Sequence, residues 1–252
     1  MTRKIVLITG GSRGLGKNAA LKLAKNHCDI ILTYRTQQQE AEAVVQEIEA
    51  LGARALALPL DVADSSSFDA FVAEVKNQLK TQWQRDSFDY LLNNAGTALH
   101  AAFAETTEQQ FDQLVNIHFK GPFFLTQKLL PLLVDGARIL NVSSGLARFS
   151  LPGSSAYAAV KGAMEVLTRY QAKELGARGI RVNIIAPGAI ETDFSGGMVR
   201  DNAEVNAFVA SQTALGRAGL PDDIGDAIAL ILSEGSGWMT AQRIEVSGGM
   251  FI

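Results

Sequence analysis

The chain has 252 residues, 47% of them hydrophobic, with 23 lysines and arginines against 26 aspartates and glutamates. That apolar content suffices for one large core, and a net charge of −3 without a basic stripe argues against a nucleic-acid binder. The lone cysteine, Cys28, cannot form an internal disulfide, and His27, His100 and His118 lack the spacing of a metal site.

The apolar run after Lys4 is too short for a signal-peptide core. No stretch reaches the roughly 18 apolar residues that a membrane span needs, so a cytoplasmic protein is expected, and the single thiol fits a reducing compartment. Strand-like runs fall at 5–9, 30–34, 55–60, 90–93, 138–143, 181–185 and 243–246. Several are apolar at consecutive positions, as in parallel strands covered on both faces. Helical patterns lie between them at 15–25, 38–51, 65–79 behind Asp64 as N-cap, 107–133, 155–177 and 221–232. The alternation predicts a single-domain α/β chain over 1–252, a doubly wound parallel sheet of the Rossmann type with seven strands and helices on both faces. Residues 80–87 read as a polar loop. Residues 191–220 are long, rich in small polar residues, and leave the carboxyl end of a strand, which predicts a flexible lid over a substrate.

The stretch ITGGSRGLGKNAA, at 8–20, sits where the first strand turns into the first helix and fits three motifs. Gly10 to Gly14 has the form of a hydrolase nucleophile elbow around Ser12. That reading needs a histidine nearby in space; His27 lies at the remote end of the helix and His100 and His118 stay open, but an elbow on the first strand leaves little upstream structure for an oxyanion loop. Residues 11–17 match a mononucleotide loop, but Asn18 stands where its magnesium-binding hydroxyl belongs. Gly14, Gly16 and Ala19 fit the dinucleotide fingerprint. This third reading makes a further prediction downstream. An acid at the end of the second strand would hold a ribose; an arginine would hold a 2′-phosphate. Tyr34 and Arg35 stand there, no acid occurs from Ile30 to Gln39, and Asp29 is at the wrong end of the strand. Arg13 adds a second cation, and guanidinium forks suit phosphate oxygens. NADPH/NADP+ is the expected cofactor, on Gly10, Ser12, Arg13, Gly14, Leu15, Gly16, Tyr34 and Arg35.

From Ile5 to Met250 the chain resembles the short-chain dehydrogenase/reductase family. The motifs are Thr9-Gly10 with Gly14 and Gly16, Asn93-Asn94-Ala95-Gly96, Asn116 in VNIHFKG, Ser144 in NVSSG, Tyr157 and Lys161 in AYAAVKG, and Pro187 to Thr192. Ser144 precedes Tyr157 by 13 residues and Asn116 precedes it by 41, both usual in that family; the spacing favours Ser144 over Ser143. The resemblance implies catalysis by Asn116, Ser144, Tyr157 and Lys161. It places Asp61 and Val62 at the adenine and Asn94, beside Ala95 and Gly96, along the cofactor ribose. Pro187 and Gly188 then lead to Ile190 and Thr192 at the nicotinamide carboxamide. It also implies a homotetramer, with helices 107–133 and 155–177 pairing between subunits.

These residue types suit ketone reduction. A tyrosine holds its proton near neutrality, with a usual pKa of about 10. Lys161, four residues on, shares a helix face with Tyr157 and favours its phenolate. The Ser144 hydroxyl polarises the carbonyl, and the resemblance gives Asn116 a water that relays protons to the lysine. Leu146, Ala189 and residues 195–213 border a mostly apolar substrate pocket. The expected activity is NADPH-dependent reduction of a small-molecule ketone, reversible from the secondary alcohol. LGRAGLPDDI and VSGGMFI resemble 3-oxoacyl-acyl-carrier-protein reductases, the alternative reading. An acidic carrier needs a basic dock, and PLLVDGAR offers Arg138 beside Asp135, with Arg178 nearby. An NAD-dependent sugar or alcohol dehydrogenase is opposed by Arg13, Tyr34 and Arg35, and an inactive cofactor sensor by the intact Ser144, Tyr157 and Lys161. His118 and Cys28 read as packing, Trp83 as a surface-loop anchor, and Trp238 as a core or interface anchor.

Overall fold

The strands are β1 (Lys4–Ile8), β2 (Cys28–Tyr34), β3 (Ala55–Pro59), β4 (Phe88–Asn93), β5 (Leu133–Val142), β6 (Arg181–Pro187) and β7 (Arg243–Val246) in a computed structural model that describes residues 3–252. Met1 and Thr2, the head of the N-terminal run, lie outside the described residues. The strands form one parallel sheet in the order β3-β2-β1-β4-β5-β6-β7. Ile5, Val6, Leu7 and Ile8 are all 0% exposed. Ile5 and Leu7 serve one core, Val6 and Ile8 the other, which explains an apolar run without alternation.

The helices are α1 (Gly14–Lys25), α2 (Gln38–Ala50), α3 (Phe68–Trp83), α4 (Glu108–Val115), α5 (Gly121–Leu129), α6 (Ser155–Leu175), α7 (Met198–Asp201), α8 (Ala203–Ser211) and α9 (Pro221–Ile231). Leu23 of α1, Val44 of α2 and Ile228 of α9 fill one core. Phe68 of α3, Leu125 of α5 and Ala172 of α6 fill the other. The strand order reverses between β1 and β4, so the loops at their carboxyl ends part and leave a crevice.

Four expectations are corrected. The single helix over 107–133 is α4, a π-turn at Asn116–Lys120 and α5. Pro122 has no N–H for the carbonyl four residues back, which suits a break in the ordinary ladder there. β5 starts at Leu133, not 138, with irregular register against β4 between Phe88 and Tyr90. Helix α3 runs on into the presumed polar loop, and Trp83 is buried, its indole N–H donating to Asp29 Oδ2 at 2.8 Å. Trp238 is fully exposed and so is no core residue.

Residues 191–220 hold a 3-10 turn, α7 and α8, and their two ends are clasped: Glu191 N–H donates to Gly219 O (2.9 Å) and Gly219 N–H to Ala189 O (3.0 Å). Cys28 is buried, and that burial pushes its thiol up to about 11, as for an inert packing group. Among the described residues, no helix is long and apolar enough to cross a membrane and no cluster could hold a metal ion.

Candidate active site

A cleft of about 760 Å³ opens at the carboxyl ends of the strands. Every residue expected on the cofactor, from Gly10 to Thr192, lines it, as do Leu146 and Ala189. At one end the chain turns from β1 into α1 through Gly10 (φ +68) and Gly14 (φ +56). A Cβ on Gly16 would lie 2.1 Å from Gly10 O, so only glycine closes this turn. The Thr9 hydroxyl accepts from Asn94 N and Ala95 N, each at 3.0 Å. Asn94 Nδ2 donates to the Thr9 and Gly10 carbonyls, each at 2.9 Å. The Asn94 amide thus braces the loop while lining the cleft. The first turn of α1 has no side-chain cap and no acidic residue. Its free N–H groups make a cradle for an anion. Arg13 and Arg35 are exposed beside it, with half-buried Tyr34, and neither arginine pairs with a carboxylate among the described residues. These groups fit a dinucleotide carrying an extra phosphate.

The other end gathers hydroxyls and one amine. Ser144, just past β5, accepts from Leu146 N at 3.2 Å and lines the cleft. Ser143 lines the cleft as well, with its hydroxyl donating to Glu165 Oε1 at 2.6 Å. The first turns of α6 bring in Tyr157 and Lys161, the ammonium 5.6 Å from the centre of the phenol ring. Burial pushes the Tyr157 phenol up, and its hydrogen bond with Ser144 acts against that. Burial pushes the Lys161 ammonium down to about 7.

The family model described as enoyl-(acyl carrier protein) reductase matches residues 10–251. The 3-oxoacyl-[acyl-carrier-protein] reductase FabG of Staphylococcus aureus is 35% identical over 252 residues, covering 99% of this chain and 98% of that one. The chain belongs to the short-chain dehydrogenase/reductase family. Within this family it resembles the solved LugOII, a promiscuous reductase of keto-reduction at C1 in lugdunomycin biosynthesis, with a TM-score of 0.94, 33% identity and coverage of 100% and 99%. It also resembles the angucycline C-6 ketoreductase LanV with bound NADP, with a TM-score of 0.93, 33% identity and coverage of 98% and 95%.

Three more of the residues named from the sequence are placed as follows. Asn116 does not line the cleft; His118, two residues on, does. Asn116 opens the π-turn half-buried, whereas Ile117 and His118 are buried on its inner side. Next, Lys161 Nζ donates to Val142 O at 2.8 Å while standing 5.6 Å from the centre of the Tyr157 ring. Finally, Arg138 is no surface cation. It is buried in β5, donating to Tyr90 Oη at 2.7 Å and pairing with Glu234 at 3.4 Å. Arg178 pairs with Asp135 at 2.8 Å and donates to the Leu130 and Leu133 carbonyls. It stands before the amino end of β6, away from the cleft.

Sequence reasoning missed part of the cleft lining, Phe149, Leu151, Phe194 and Met250, whereas Val199 falls within the expected 195–213. Phe149 and Leu151 follow Ser144 closely, a signal that was available. Met250 reaches the cleft by a bridge to Thr213, a tertiary contact that no local pattern announces.

Proposed function

We propose that the chain is an NADPH-dependent carbonyl reductase acting on a ketone, with Ser144, Tyr157 and Lys161 as its reacting group. One observation carries this reading: Ser144, Tyr157 and Lys161 meet at one end of a cleft whose other end holds a helix terminus without a side-chain cap and two arginines with no carboxylate partner among the described residues. Bound NADPH supplies the hydride. Ser144 orients the carbonyl oxygen, and Tyr157, kept protonated by burial, gives that oxygen its proton. The Lys161 cation stabilises the phenolate left behind. Asn116, which opens the π-turn beside Ile117 and His118 of the cleft, is taken to hold the water that relays protons to Lys161. Residues 191–220 serve as the lid within a single domain, because Phe194, Val199 and the clasp at Ile190 border the cleft.

The substrate is a free ketone with a bulky apolar body. Leu146, Phe149, Leu151, Phe194 and Met250 support this, and Arg138 and Arg178 are engaged away from the cleft. The second reading, a 3-oxoacyl-acyl-carrier-protein reductase, is favoured by the identity to FabG. Turnover of a bicyclic ketone, a 3-oxoacyl thioester of a small thiol and the same acyl group on a carrier protein separates them. The free ketone is expected to have the highest kcat/KM; at least about a tenfold preference for the carrier form would favour the second reading. A cytoplasmic homotetramer completes the proposal. Exposed Phe111 on α4 with Val166 and Tyr170 on α6 supports one subunit face, and Leu230 with Trp238 a second.

Two further results are expected. Gly16→Ala places a methyl against Gly10 O, so the loop must shift and NADPH affinity fall by at least about tenfold. Fluorescence titration checks it, and unchanged affinity would refute the tight-turn argument. The pH dependence follows from Lys161, whose folded value of about 7 lies below its usual one. Its cationic form acts, so kcat/KM for NADPH, which reports the free enzyme, is expected to fall as pH rises through about 7. A profile flat from about pH 6 to about pH 9 would contradict that role.

A further inference from the structure

We propose that Arg148 is a positioning residue for substrate size: it pins the strap 248–252 so that Met250 stands as a wall of the cleft, which a bulky ketone meets and a small one does not. The inference rests on the ketone-reductase reading above. It gives a role in selectivity to a side chain that lines a neighbouring groove beside Glu245 and acts on the cleft through Met250.

Arg148 stands four residues after Ser144 and caps the 3-10 turn Gly145–Ala147. Its guanidinium spends all three nitrogens on the chain around and after β7. Nε and Nη2 hold the two oxygens of Glu245 at 2.8 and 2.6 Å. Nη2 also donates to Met250 O at 2.7 Å, and Nη1 to Phe251 O at 3.2 Å. A planar fork of donors can hold a carboxylate and two carbonyls at once, which the compact ammonium of a lysine cannot copy. Glu245 is itself fixed. Arg243 Nη1 and the Ser247 hydroxyl donate to it, each at 2.8 Å, and Arg243 Nε donates to Glu165 on α6 at 2.7 Å. The hydrogen bonds from Arg148 outweigh burial and, with those of Arg243 and Ser247, hold the Glu245 carboxyl down at about 2, so the pair stays charged.

On its other side the strap pairs with the end of the lid. Met250 and Thr213 form an antiparallel bridge. Phe251 N–H donates to Gln212 O at 3.0 Å, while Ala214 N–H and Leu215 N–H donate to the Gly249 and Gly248 carbonyls at 3.3 and 3.1 Å. The strap therefore joins the loop after Ser144 to the lid. Between them Met250 is 3% exposed, packed in a small apolar cluster with Phe149 and with Val199, Val205 and Val209 of the lid, and it lines the cleft. Phe149 lies under the Arg148 guanidinium, 5.3 Å from ring centre to Cζ, and against Phe251, with centroids 4.7 Å apart. Phe251 has φ +53, a left-handed conformation that an aromatic residue keeps only where its surroundings hold it. Arg148 on its carbonyl and Gln212 on its N–H supply that hold.

Arg148→Ala, Met250→Ala and the double variant test this on the full chain. Hydrogen exchange over 212–215 and 248–252 reads the pin without any turnover. Steady-state kinetics with a bicyclic ketone and with a small acyclic one read the wall. Arg148→Ala is expected to exchange at least about tenfold faster over both segments. Its KM for the bicyclic ketone is expected to rise at least about fivefold, with kcat for the small ketone and the NADPH Kd within about twofold of wild type. Because Arg148 acts through Met250, the double variant is expected to lose no more than about twofold beyond Met250→Ala on the bicyclic ketone. Unchanged exchange in Arg148→Ala would remove the pin. Faster exchange with an unchanged KM would remove the wall. An equal loss on both ketones would make Arg148 a general stabiliser, and additive losses in the double variant would mean that it acts by another route. If wild type turns over neither ketone, the reductase reading fails and the wall with it, while faster exchange in Arg148→Ala would still show the pin.

Discussion

Tyr157→Phe is expected to lose about a thousandfold in ketone turnover while binding NADPH within about twofold of wild type. The substitution removes one oxygen and leaves the packing. Its ring still meets His118 edge-on at 5.3 Å and Phe194 at 6.2 Å. The hydroxyl is the only part the chemistry needs. Burial raises its pKa, so it carries its proton at every working pH, and Ser144 is hydrogen-bonded to the same oxygen. The Lys161 ammonium is held by Val142 O at 2.8 Å, so it supports the phenolate from the side and does not replace the donor. Removal of a positioned general acid costs between about a hundredfold and ten thousandfold. Steady-state NADPH oxidation with a ketone gives the loss, and fluorescence titration gives the affinity. Retained turnover in this variant would mean that another group delivers the proton.

NADPH is expected to bind at least about tenfold more tightly than NADH, a difference of about 1.4 kcal/mol. The two cofactors differ only by the 2′-phosphate, so the difference reads the groups that meet it. Arg13 and Arg35 line that end of the cleft, exposed and without carboxylate partners among the described residues. An exposed guanidinium already engaged by a carboxylate would have less to offer a phosphate; these two do not face that competition. The preference should shrink in high salt, because both cations face solvent. Arg13→Ala with Arg35→Ala should bring the two affinities together by weakening NADPH and leaving NADH nearly unchanged. Equal affinities in the wild-type chain would refute the arginine argument.

Much of this was legible from local pattern. The consecutive apolar residues of β1 report a strand buried on both faces, and the structure divides them between two cores. The glycines at 10, 14 and 16 report a tight turn, and Gly16 has a carbonyl 2.1 Å from where its Cβ would stand. Spacing alone favours Ser144 over Ser143, and the engagement of the Ser143 hydroxyl by Glu165 is in keeping with that choice. What failed depended on partners distant in sequence. Trp83 reads as a loop residue until Asp29, 54 positions away, accepts its N–H. Arg138 reads as a surface charge until Tyr90 and Glu234 close around it. Counting from Asn116 assumes a regular helix; the π-turn that begins there turns Ile117 and His118 inward, which no count shows. Residue spacing carries information only while the helical period holds.

The central claim is that hydride goes from NADPH to a ketone carbon in this cleft. NADPH stereospecifically deuterated at the transferring position, incubated with the protein and a bicyclic ketone, tests it directly. The account predicts an alcohol with deuterium on the carbinol carbon, formed by wild type and not by Tyr157→Phe. Tight NADPH binding with no labelled alcohol from a free ketone, a thioester or a carrier-bound 3-oxoacyl group would contradict it.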